Sequence, residues 1–83
     1  MKPDKALIKH LLAILRRIGP AGIEEDALAT ELEVAACRPL TTAQASETRL
    51  LCADKGWIAS RIDEFDQTRW WLTEAGKTTL SGM

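Results

Sequence analysis

Residues 50–80, LLCADKGWIASRIDEFDQTRWWLTEAGKTTL, leave this chain few ways to fold. Gly56 interrupts a helix-compatible run just after Lys55, and glycine takes the left-handed conformation that ends many helices. Two runs of aromatic and β-branched residues follow, one starting at Trp57-Ile58 and the other spanning Thr68 to Leu72. The polar Asp63-Glu64-Phe65-Asp66-Gln67 between them has the length of a hairpin loop. Thr73 then offers a side-chain N-cap to a short closing helix over residues 73–81. The pattern predicts a helix end, a two-stranded hairpin over 57–72 and a last helix.

The preceding residues read as three helices. Over 4–18, Leu7, Leu11, Ile14 and Ile18 make one stripe at helical spacing, with Ile8, Leu12 and Leu15 beside it. Asp4 can cap this helix and Pro3 sits just before it. Lys5, Lys9, Arg16 and Arg17 are left for solvent. The apolar face is wide enough to supply the core of a small domain and also a homodimer contact through helix 1. Gly19-Pro20-Ala21-Gly22 ends the helix. The second helix, about 24–34, opens on Glu24-Glu25-Asp26, charges that suit the positive end of the helix dipole. Its expected buried face is Ala27, Leu28 and Leu32. Residues 35–40 form the connection, because Pro39 disfavours helix at Arg38. The third helix runs over about 41–55. Thr41 and Gln44 have capping-box spacing, and Ala45, Thr48, Leu51 and Cys52 point inward.

An 83-residue chain with 46% hydrophobic and 28% charged residues reads as a single globular domain, 1–83, and not as a disordered segment. No apolar run approaches the ~20 residues that span a bilayer. The start, MKPDKAL, lacks the pattern of a signal peptide. The expected location is the cytoplasm, with no membrane partner. The net charge of −1 is low for a nucleic-acid binder and unevenly spread. Residues 1–20 carry five basic residues against one acid, whereas residues 21–40 carry five acids against Arg38.

Catalytic and metal chemistry find little here. Cys37, Cys52 and the single His10 are too few for a zinc site, so no metal and no cofactor is expected. There is no Gly-rich phosphate loop, and no nucleophile–base pair can be named, which argues against an enzyme. Cys52 reads as a small buried hydrophobe on a helix and Cys37 as a free thiol beside a loop.

The order helix, helix, helix, hairpin, short helix, with "DKGWI … RWWLTEAGK", resembles the winged helix-turn-helix superfamily. "GIEEDALATELEV" is similar to a segment of many helix-turn-helix regulators, in which the Ile begins a minimal strand. The resemblance implies an α+β, mainly α fold: a three-helix core with a C-terminal β-hairpin wing and a short closing helix. Within the superfamily the pattern also looks like short winged-helix proteins of prophages. It implies a DNA-binding transcription regulator whose third helix enters the major groove of double-stranded DNA. The DNA-binding candidates are then Thr42, Gln44, Ser46 and Arg49 on that helix, with Arg61 and Arg69 at the base of the wing as phosphate contacts. The superfamily also includes protein-interaction modules. Here an acidic wing tip carrying Phe65, with Trp71 and Trp57 on the outer side of the hairpin, would dock a protein partner instead.

Overall fold

The computed structural model describes residues 4–83, so the expectation for Pro3 lies outside the described residues. The elements are α1 (Lys5–Ile18), β1 (Ile23–Glu24), α2 (Glu25–Ala36), α3 (Thr42–Asp54), β2 (Ile58–Ile62), β3 (Thr68–Leu72) and α4 (Glu74–Ser81). They form a mainly helical fold with a three-stranded antiparallel sheet in the order β1-β3-β2. None of these helices is long and apolar enough to cross a membrane.

α1 is the central helix. Asp4 Oδ1 caps it by accepting from the N–H groups of Ala6 and Leu7 (2.9 and 3.3 Å). Leu7, Ile8, Leu11, Leu12, Ile14 and Leu15 are all buried, packed with Leu28 and Leu32 of α2, Cys52 of α3, Ile58, Trp70 and Leu72 of the sheet, and Leu80 of α4. The wide apolar face is therefore consumed within the chain. The hairpin and α4 cover the part of this face that helix 1 was expected to offer to a second copy.

α2 reaches Ala36, so it takes up the first two residues of the predicted connection, and Cys37 ends it in the left-handed conformation (φ 57). Leu28 and Leu32 are buried as expected, but Ala27 is exposed, because the core side of α2 is narrower than the sequence stripe. The Thr41–Gln44 capping box is formed at the start of α3. Cys52 is fully buried, and burial pushes its thiol up to about 11; Cys37 is exposed, and both are free thiols.

The wing motif is a set of mutual hydrogen bonds. Gly56 adopts φ +78 where α3 turns into β2. The Thr73 N–H donates to the Trp57 carbonyl (3.0 Å). The Thr73 hydroxyl donates to the Gly56 carbonyl (2.6 Å) and accepts from the Gly76 N–H (3.1 Å). One threonine thus ties the helix stop, the start of β2 and the cap of α4 together. Gly76 is buried because α4 lies directly on the Trp57 carbonyl, with no room for a side chain.

Candidate nucleic-acid interface

α3 and the hairpin are brought together by a cluster that joins four elements. Strand register pairs Trp70 with Ile23 of β1 and with Ser60 of β2, which turns the Trp70 ring toward the helices. Trp70 is only 6% exposed. Its indole N–H donates to Glu25 Oε1 at the start of α2 (3.2 Å). Arg49 of α3 reaches the same carboxylate, Nε to Oε1 at 3.3 Å, and its guanidinium carbon lies 5.5 Å from the centre of the Trp70 ring. A further contact runs from Arg49 Nη2 to Ser46 Oγ (3.4 Å). The Arg49 Nε is buried without a well-directed hydrogen bond, so its contact with Glu25 is an ion pair and not an aligned bond. Arg49 thus locks α3 to α2 and the sheet in this structure, and the Ser46 hydroxyl is half-engaged with it.

The other helix candidates are placed differently. Thr42 is exposed. The Gln44 side-chain oxygen accepts from the Thr41 N–H (3.0 Å), and the Gln44 N–H donates to Thr41 Oγ1 (3.0 Å). Reading adenine with two bonds requires both ends of the amide, and the cap occupies the oxygen. Along the rest of α3, Ala43, Glu47, Leu50 and Asp54 are the exposed positions. The outward face of the helix thus carries two carboxylates and no cation.

In the wing, Asp63 organises the turn. Its Oδ1 accepts from the N–H groups of Phe65 (2.9 Å) and Gln67 (3.0 Å), and Asp66 takes a positive φ of 59, a conformation Asp tolerates. The Gln67 N–H, the Phe65 N–H and Arg69 hold the Asp63 carboxyl below its ordinary range, against partial desolvation. Arg69 Nε lies 3.5 Å from Asp63 Oδ2, and Arg69 Nη1 donates to the Gly22 carbonyl (3.4 Å). Arg61 sits opposite Arg69 in the register, is exposed and makes no ion pair among the described residues. Phe65 at the tip is 75% exposed and Ile62 at the end of β2 is 69% exposed. Trp71 is half-buried on the outer face of the sheet beside Ala59. Trp57, expected on that side, instead packs against the core.

The charge around α3 and the wing is acidic: Glu24, Glu25, Asp26, Glu47, Asp54, Asp63, Glu64 and Asp66 stand against Arg49, Lys55, Arg61 and Arg69. Glu24, Glu25, Asp26 and Asp66, with Gln67 and Thr68, line an open groove between the start of α2 and the wing tip. No cluster of three metal-ligating side chains occurs among the described residues. Lys55 and Arg61 are the cations of this surface that no carboxylate holds among the described residues. The Glu25 and Asp63 pairings leave no local signal in the sequence, since their partners are 24 and 6 residues away. An Asp opening a short polar loop does signal the turn itself.

No family model matches the sequence, and no curated protein matches it. Solved structures do. The F-93 protein of SSV1 is similar with a TM-score of 0.75 and 23% identity, over 98% of this chain and 84% of that one. RosR of H. salinarum gives 0.79 and 17% identity, over 98% and 71%. MepR, a transcription regulator of the Staphylococcus aureus multidrug efflux pump MepA, gives 0.75 and 20% identity over 92% of this chain. The chain spans about half the length of MepR, 52%. At these identities the likeness establishes the fold, a winged helix with a β-hairpin wing.

Proposed function

We propose that this winged-helix chain is a small DNA-binding transcription regulator of the prophage type, acting on duplex DNA in the cytoplasm without a cofactor and without catalysis. The observation that supports it is the placement of α3 beside the hairpin in a fold shared with MepR, whose structure is described as that of a transcription regulator. In this reading Thr42, Ser46 and the free amide nitrogen of Gln44 face the major groove, and Lys55 and Arg61 contact the phosphates. Arg49 and Arg69 join them only when their carboxylates release them.

A second reading, a protein-interaction module without DNA binding, is favoured by the acidic wing tip. Exposed Phe65 and Ile62 among Asp63, Glu64 and Asp66 suit a basic, partly apolar protein surface, with half-buried Trp71 on the adjoining face.

Titration of a fluorescent mixed-sequence duplex at low and near-physiological salt separates the two. The DNA reading predicts binding at low salt with a log–log salt slope of about −2, from two unpaired cations at about −0.9 per phosphate contact. No binding even at low salt contradicts it and leaves the second reading.

A further inference from the structure

Two of the arginines that the winged-helix resemblance assigns to DNA contact are held by the protein's own carboxylates. We infer that Glu25 and Asp63 mask Arg49 and Arg69, and that opening these two ion pairs switches the surface from weak to tight duplex binding. This inference rests on the DNA-binding reading and adds a built-in regulation of that site.

Several features make the pairs suited to opening. Arg69 is 40% exposed, and its contact with Asp63 is long, 3.5 Å. A partly exposed pair of that kind contributes little to stability, and a phosphate oxygen replaces the carboxylate with the same charge and more acceptor positions. Arg49 is more enclosed, with its side chain 15% exposed, yet its Nε is buried without a hydrogen-bond acceptor in good geometry. A buried donor left in that condition penalises the closed arrangement. Glu25 does not depend on Arg49 for a partner, because it keeps the Trp70 indole N–H (3.2 Å) when the arginine leaves. Asp63 likewise keeps the Phe65 and Gln67 N–H groups, so the wing turn survives the loss of Arg69. Each carboxylate therefore keeps a structural bond when its arginine leaves, and the arginines in turn give up their remaining contacts, Arg69 with the Gly22 carbonyl and Arg49 with Ser46 and the Trp70 ring.

The test uses substitutions that remove charge but keep those bonds. Asp63→Asn retains an oxygen for the Phe65 and Gln67 N–H groups, and Glu25→Gln retains one for Trp70. Glu64→Gln and Asp26→Asn remove the same charge from exposed neighbours that hold no arginine. Duplex affinity is read by fluorescence anisotropy across a salt series, with circular dichroism confirming the fold of each variant. Each unmasking variant is expected to bind about tenfold more tightly, a typical coupling for a two-state contact, while the two controls change far less. The salt slope should steepen by about 0.9 for each arginine freed. In an Arg69→Ala background, Asp63→Asn should give no gain beyond that of Glu64→Gln.

Equal gains from Asp63→Asn and Glu64→Gln overturn the mask at the wing, and equal gains from Glu25→Gln and Asp26→Asn overturn it at α3. A gain that survives Arg69→Ala does the same for the wing. If wild type binds and no unmasking variant gains, the mask fails and the DNA reading stands. If no protein of the set binds duplex at low salt, the DNA reading fails and the mask with it.

Discussion

Gly76→Ala is expected to lower the melting temperature by roughly 10 °C, although alanine is the better helix former. A Cβ at this position would overlap the Trp57 carbonyl oxygen and lie 2.6 Å from Leu72 Cδ1. The carbonyl cannot retreat, because it accepts the Thr73 N–H that aligns α4. Overpacking against fixed backbone costs about 3 kcal/mol, at the top of the usual range. Helix propensity returns about 1 kcal/mol. The net loss of about 2 kcal/mol corresponds to about 8–16 °C in a domain of this size. Ala75→Gly, one residue earlier at an exposed site of the same helix, is the control and should cost about 1 kcal/mol from propensity alone. Thermal melts of the two variants decide it. A Gly76→Ala protein as stable as wild type would mean that α4 does not lie on the Trp57 carbonyl.

Trp70→Ala is expected to destabilise by about 3–5 kcal/mol, the usual cost of truncating a large buried aromatic. Native domains are stable by about 0.05–0.15 kcal/mol per residue, roughly 4–12 kcal/mol for a chain of this length, so this one substitution should remove between about a quarter and all of the stability. Packing is not the whole of this loss, because β1, α2, α3 and the hairpin meet at Trp70. Without the indole, Glu25 Oε1 loses its N–H donor and Arg49 loses the ring beneath its guanidinium. Trp70→Phe separates the contributions. It keeps most of the apolar area and should cost about 1 kcal/mol for the missing hydrogen bond, plus the difference in ring size. Urea unfolding followed by circular dichroism measures both. A Trp70→Ala variant within 1 kcal/mol of wild type, on the order of a surface change, would contradict the role given to this residue.

Much of this architecture is legible in local sequence because the signals are local. The Thr41–Gln44 capping box, the Gly56 stop, the Thr73 cap and the period-2 alternation that turns Trp70 and Leu72 inward each depend on residues a few positions apart. The left-handed Cys37 was less visible, because glycine is the residue expected at such a stop, and α2 accordingly runs past the predicted boundary to Ala36. Tertiary pairings were not legible. Whether the broad face of α1 met its own hairpin and α4 or another molecule depended on how those elements fold back. Trp57 read as outward by strand alternation, yet it packs against the core at the edge where α4 arrives. The candidate site shows the same division. Thr42 and Arg61 lie exposed as their local positions imply, whereas Arg49 and Arg69 are engaged by Glu25 and Asp63, contacts that only the assembled sheet creates. A winged-helix pattern identifies the helix that faces outward in the fold; it does not reveal which of its charges are already spoken for.

That distinction decides the most direct test of the DNA reading, because this chain offers two places for a polyanion. Lys5, Lys9 and Arg16 are exposed along one side of α1, beside its buried face, and a duplex could be held there by charge alone. The measurement is backbone amide chemical-shift mapping of the isotope-labelled protein as a short duplex is added at low salt. The account predicts that the largest shifts fall on residues 41–47 at the start of α3 and on residues 55 and 61–69 of the wing. Shifts confined to α1, or none at all, would contradict it.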